Sequence, residues 1–224
     1  MEALLKLVSL AMVSLFAVGG QIALASDGSA HAHHAKARRH GKSPRHKRSV
    51  RHPSAPGSSS AEPAGPTVCA GATDAPVAAN LAEIRSALLC LVNHERASRG
   101  LAALRENGAL TRAAQAHTDD MVAHNYFDHT GPAGDTPYQR IFGAGYAGSN
   151  DSYAIGENIA LGTGDEGQPI NIVAAWMDSP GHRENILDPK YREAGMGVAA
   201  AVPASESVGG QPGMTVTNTF GVHG

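Results

Sequence analysis

The sequence predicts a single α+β layered domain carried behind a long N-terminal extension. Three observations lead there. Apolar residues recur at helical spacing through the first part of residues 81–224. The last thirty or so residues turn Val-, Thr- and Gly-rich with period-two alternation. The 224-residue length suits one ordinary domain plus extensions, and 42% of residues are apolar, enough for a core. Only 4% are Phe, Tyr or Trp, so that core has to be built from Ala, Leu, Ile, Val and Met.

The helical pattern begins near Ala78. In NLAEIRSALLCLVNHERASRG, residues Leu81, Ile84, Leu88 and Leu91 form one apolar stripe, and Gly100 is a natural stop. In ALTRAAQAHTDDMVAHN, residues Leu110, Ala113, Ala114, His117 and Met121 form a second stripe, whose alanines favour close packing. Thr136, Pro137 and Gln139 read as an N-cap, an N1 proline and an N3 partner opening a third helix that ends near Gly143. A fourth runs from Pro169 to Met177 with Ile172, Ala175 and Trp176 inward, and Pro180 is expected to break it. Tyr153 to Ala160 adds a strand or an extended segment. EAGMGVAAAV and MTVTNTFGV, joined by the loop SVGGQPG, predict a hairpin. Helices early and strands late make an α+β layered domain.

The extension divides in two. Residues 1–25 hold a weakly positive start (Lys6), an apolar run and Ala23-Leu24-Ala25, a small-x-small cleavage pattern, so they read as a signal peptide. The other reading is an uncleaved anchor, because the run is nearly long enough to span a bilayer. Residues 26–66 are rich in His, Lys, Arg, Pro, Gly and Ser and cannot repay the entropy of ordering, which predicts a disordered tether. Six of the twelve histidines lie in this stretch, so it reads either as a solvated spacer or as a loose metal binder. Residues 67–80 lead into the domain.

Net charge of -2 hides a split. Residues 26–64 have eight Lys/Arg against two acids, a net of +6, and residues 81–224 have nine against sixteen, a net of -7. A basic arm on an acidic domain suits contact with the domain itself or with an anionic wall polymer, lipid or nucleic acid, and charge alone does not choose among them. Membrane contact would come through this arm or through an uncleaved leader. No phosphate loop, dinucleotide fingerprint or C-x-x-C occurs, and no specific nucleic-acid binding is expected. Cys69 and Cys90 are the only cysteines, so an intrachain bond would have to join them, and two free thiols are the alternative.

Of the histidines outside the tether, His94, His117 and His124 fall in predicted helices and read as structural or exposed, and His223 lies one residue from the end and reads as frayed. His129 stands apart in the irregular stretch NYFDHTGPAGDTP. Glu157, between Gly156 and Asn158 in IGENIALG, is flanked by Ile155 and Ile159 and should be partly buried with a partner. His182 follows the Trp176 helix in WMDSPGHRENIL. Two loop histidines and an acid suit a His/His/Glu site for a divalent metal such as zinc, or a hydrogen-bonded pocket without metal. The chain has no H-E-x-x-H and no G-x-S-x-G. Ser179 with His182 for a serine hydrolase, and Glu157 with Asp178 or Glu184 for glycoside cleavage, both depend on geometry.

Taken in order, LVNHERASRGLAALRENGALTRAAQAHTDDMVAHNYFDHTGPAG, GENIALG, IVAAWMDSPGHRENILDPKYREAGMGVA and TNTFG resemble the CAP superfamily of cysteine-rich secretory, antigen 5 and pathogenesis-related 1 proteins. The likeness spans about Leu81 to Val222 and is nearest to the bacterial SCP-like extracellular branch. It implies a three-layer α-β-α sandwich around a central antiparallel sheet, and a cleft where two histidines and two acids often converge. His129, Glu157 and His182 match three of these. At the fourth position eukaryotic members often have W-Y-x-E, whereas Trp176-Met177-Asp178-Ser179 places Ser179 there. Asp178 lies one residue off, a turn of roughly 100° on a helix. The family's divalent-metal binding carries over as an expectation on His129, Glu157 and His182, with no cofactor required. The resemblance implies a secreted or envelope-associated protein. Two functions follow: a non-catalytic binding module for a small apolar ligand, peptide or envelope component, or a metal-assisted extracellular hydrolase.

Overall fold

The computed structural model describes residues 22–25, 69–148, 151–207 and 210–224. The tether and most of the leader lie outside these residues. The elements in chain order are β1 (Ile22–Ala25), α1 (Leu81–Ala97), β2 (Arg105–Glu106), α2 (Gly108–Ala123), α3 (Pro137–Gly143), β3 (Tyr153–Thr163), α4 (Pro169–Asp178), α5 (Pro180–Leu187), β4 (Glu193–Ala199) and β5 (Gly213–His223). The strands form one sheet in the order β1-β3-β5-β4-β2. All neighbours run antiparallel except β2, which pairs parallel to β4. Helices cover both faces, α1, α4 and α5 on one and α2 and α3 on the other, which makes the α-β-α sandwich.

Strand alternation explains the two layers. Along β5, Met214, Val216 and Phe220 join Ala194, Met196 and Val198 of β4 in the core under α1, α4 and α5. Ile84, Leu88, Ile172 and Trp176 fill it from the helices, and the Trp176 indole donates to the Ile159 carbonyl. The opposite face of the same strands presents Thr215, Thr217 and Thr219 with Gly195 and Gly197. A Cβ on Gly195 or Gly197 would overlap the α2 backbone at Leu110 or Ala114, so α2 lies directly on the sheet there. Thr118 of α2 bonds Thr217 across this seam at 2.8 Å, and Thr219 donates to the Leu110 carbonyl. A smaller core of Leu110, Ala113, Ile141, Tyr146 and Ile155 lies under α3.

Caps fix the helices where the sequence signals them. Asn107 accepts from the amides of Ala109 and Leu110, and Thr136 with Gln139 makes the capping box of α3. Cys69 and Cys90 are disulfide-bonded, which pins the lead-in to α1.

Several local expectations change. Pro180 ends α4 but is also the first residue of α5, so His182 sits in the first turn of a helix rather than in a loop. His223 continues β5 opposite Tyr153, and its ring packs edge-on to Tyr146. Ala175 is only partly buried, and Ala87, Val92 and Arg96 join the α1 stripe. Residues 22–25, read as the end of the leader, pair with Ile159 to Gly162 on the outer edge of β3. Cleavage after Ala25 would leave β3 as that edge.

Candidate functional site

Glu157 lies in β3 and, by alternation, shares the face of Ile155, toward α2 and α3. Three elements bring partners to it. The loop after α2 carries His129; it leaves the helix through Asn125, whose φ of 56° reverses the chain and whose side chain accepts from the Ser205 amide. Helix α3, set by its capping box, carries Arg140, and α2 carries His117.

His129 Nδ1 donates to Glu157 Oε1 at 2.9 Å. Arg140 Nη2 donates to both carboxylate oxygens, at 3.0 and 3.1 Å, and to the His129 carbonyl at 2.7 Å. Its Nη1 donates to the Asp135 carbonyl at 2.9 Å and carboxylate at 3.1 Å. One guanidinium thus clamps the centre and the closing end of the His129 loop to β3. His117 Nε2 stands 3.8 Å from Glu157 Oε1 and, among the described residues, has no hydrogen-bond partner.

All four side chains are nearly or wholly buried: His117 is 0% exposed, His129 6% and Glu157 7%, and the Arg140 side chain 9%. Burial pushes the Glu157 carboxyl up, but the His129 hydrogen bond and the charges of Arg140, His117 and His129 outweigh it and hold the group below its ordinary value. Burial pushes His117 down, against the pull of Glu157, so the imidazole is neutral at neutral pH. At the margin of the cluster Tyr126 donates to Asp120 at 2.6 Å, which lowers that carboxyl.

His182 approaches the same strand from the other face. Its carbonyl accepts from Asn158, whose own carbonyl oxygen accepts from Asn185, and Asn185 also donates to the Glu157 backbone. His182 Nδ1 and Ser179 Oγ share a hydrogen bond of 2.7 Å. Asp178 is exposed at the end of α4. It lines a surface groove of ≈ 390 Å³ with Met177, Pro180, Arg183, Glu184 and Leu187. A second groove, of ≈ 480 Å³, lies between α1 and β4 over Ala194 and Met196, with Arg85 and Glu106 among its polar lining.

The structure therefore joins His129 to Glu157 directly and His182 to Ser179, with Asn158 and Asn185 linking the two pairs through β3. Among the described residues, no group of three or more His, Cys, Asp and Glu side chains is placed to hold a metal ion. A divalent ion on Glu157 would need the lone pairs that Arg140 occupies and would face a fixed positive charge, so this donor set does not fit one. Sequence reasoning misses Arg140 and His117. That a buried acid demands a partner is legible; which helix face supplies it is not.

The sequence model of the Cysteine-rich secretory protein family, CAP, matches residues 89–205. An uncharacterized Bacillus subtilis protein, YkwD, is 39% identical over 109 residues, covering 48% of this chain and 39% of the relative. An uncharacterized membrane protein of the same organism, YlbC, is 32% identical over 111 residues, covering 50% of this chain and 30% of the relative. The match thus spans less than half the length of either. Among solved structures, an extracellular SCP-domain protein of Bacillus anthracis aligns with a TM-score of 0.48 at 22% identity, covering 65% of this chain and 44% of that one. An outer surface protein of Borrelia burgdorferi aligns with a TM-score of 0.45 at 19% identity, covering 61% of this chain and 90% of that one.

Proposed function

This chain belongs to the CAP family of cysteine-rich secretory proteins, and from that premise we propose that it is an exported binding module that captures a small apolar ligand, a peptide or a cell-envelope component without turning it over. The observation that carries this reading is the internal neutralisation of Glu157. Both its oxygens accept from Arg140, and one also accepts from His129. A general base needs a free lone pair and a pKa near the working pH. Glu157 is instead a buried, fully ionised structural anion. Among the described residues, the grooves beside α4–α5 and between α1 and β4 are open concave surfaces that suit a ligand, and neither is lined by Glu157 or His129.

Export is supported by the leader pattern and by the Cys69–Cys90 bond, which persists in oxidising compartments. Among the described residues no helix is long and apolar enough to cross a membrane. The +6 arm of residues 26–64 would hold the acidic domain near an anionic envelope polymer. Cleavage after Ala25 would release the protein, and retention of the leader would anchor it.

One contact favours the hydrolase alternative: the Ser179 hydroxyl bonded to the His182 imidazole. A single experiment separates the two. The exported protein is screened by mass spectrometry for co-purified lipid and peptide, then assayed on wall peptides, glycans and esters. The binding reading expects a reproducible ligand and no turnover. Turnover that disappears in Ser179→Ala, His182→Ala or His129→Ala, with the fold intact, overturns it.

A further inference from the structure

We propose that the Arg140 guanidinium is the resident cation of this cleft, standing in for a divalent metal and positioning His129. The inference is independent of whether the domain binds or hydrolyses a ligand. It rests on how the two terminal nitrogens of Arg140 are used, the buried Nε having no hydrogen-bond partner among the described residues. Its two terminal nitrogens meet five oxygens: both of Glu157, the carbonyls of His129 and Asp135, and one carboxylate oxygen of Asp135.

The guanidinium does two things a bound ion would do. It neutralises a buried carboxylate that would otherwise be driven to protonate. It also cross-links elements distant in sequence, since Glu157 is on β3, Asp135 closes the loop and His129 sits at the loop's centre. Nη2 reaches both Glu157 oxygens and the His129 carbonyl while Nη1 turns to Asp135, a two-pronged reach that a lysine ammonium lacks. The local chain is built to deliver it. The Thr136–Gln139 capping box and Pro137 at N1 orient α3 just after the loop, and Arg140 follows on the next position. The Gly131 amide donates to the Asp135 carbonyl and closes the loop on itself.

With Glu157 so occupied, His129 spends its Nδ1 proton on the same carboxylate. His117, the nearest further imidazole, faces Glu157 without bonding it. Two histidines and an acid therefore lie together, organised around a guanidinium in place of a metal.

Two measurements test this on the exported protein. The first is zinc uptake by equilibrium dialysis against the His129→Ala variant, which corrects for any zinc held by the six tether histidines. Equal uptake is expected. An additional equivalent in the parent that is lost in His129→Ala overturns the proposal, and this arm needs only the folded parent and one variant. The second is the His129 Nδ1 proton signal in the NMR spectrum, shifted downfield by its bond to Glu157. It is expected to vanish in Arg140→Gln and not to return in Arg140→Lys, with far-UV circular dichroism retained. A signal that persists in Arg140→Gln shows that His129 is held without the guanidinium and overturns the positioning role. Should Arg140→Gln fail to fold, Asp135→Asn, which alters one of the five oxygens, is expected to broaden the same signal; an unchanged signal there counts against the clamp.

Discussion

Arg96 offers the cleanest test of how this fold holds its α5 helix. Its side chain is 0% exposed, and the guanidinium donates to four carbonyls: Ala102 at 2.9 Å, Ile186 at 2.7 Å, Asp188 at 3.0 Å and Tyr191 at 3.3 Å. It thereby ties α1 to the end of α5 and to the turn into β4, and α5 is the helix that carries His182. Burial, reinforced by the charge of Arg192, lowers its pKa, partly countered by Asp188. Arg96→Met keeps much of the aliphatic volume and removes every donor. The bonds to Ile186 and Tyr191 are buried, and each acceptor left without a partner costs about 1–3 kcal/mol. Relief of the guanidinium's own desolvation offsets part of the loss from the two outer bonds, so the expected net is about 4 kcal/mol. For a domain of this size that lowers Tm by about 8–16 °C. Arg96→Lys should recover less than half, because one ammonium cannot span four separated carbonyls. Urea unfolding followed by Trp176 fluorescence measures both. A loss below about 1 kcal/mol in Arg96→Met would refute the reasoning, since it would mean water or a local shift satisfies the carbonyls.

Two other predictions rest on the same physics. Glu157 has a folded-state pKa below its unfolded value, so its contribution is fully present above the unfolded pKa of about 4.3 and is lost as pH falls through the folded value. Glu157→Gln should cost about 3 kcal/mol at neutral pH and flatten the acid limb of the stability curve; an acid limb identical to the parent's would show that Glu157 does not titrate on unfolding. Reducing the Cys69–Cys90 bond, whose ends are 21 residues apart, should lower the urea midpoint by the equivalent of about 3 kcal/mol. Unfolding with and without reductant checks this, and equal midpoints would mean the lead-in adds no constraint.

What is legible in the sequence depends on range. The α1 and α2 stripes, the α3 cap and the two strands of the β4–β5 hairpin are each signalled locally, and each forms as expected. Pro180 is ambiguous because proline both stops one helix and starts the next, and a one-residue gap at Ser179 separates the two outcomes. Strand β2 is two residues long and pairs only through β4, so no local pattern announces it. The strand of AGMGV is legible, but the reason for its glycines is not: they sit mid-strand to admit α2. Glu157 and His129 are legible as a buried acid and an irregular-loop imidazole. Arg140 is not, because its pairing depends on which face of a seven-residue helix the sheet receives.

The two buried arginines set the site apart from the scaffold. Arg96 satisfies backbone carbonyls, and no imidazole joins its set. It is a staple between segments. Arg140 is spent on a carboxylate that also receives His129 and faces His117. For stability alone such a cluster is a poor choice, since buried ion pairs seldom outdo well-packed apolar residues of the same volume. What the cluster supplies is geometry. Its bonds run between a loop, a strand and the start of a helix, and each fixes a direction as well as a distance. A loop held this way keeps one conformation, with Tyr126 placed at its edge against Asp120. The buried charge cluster therefore fixes the conformation of the loop that lies over it.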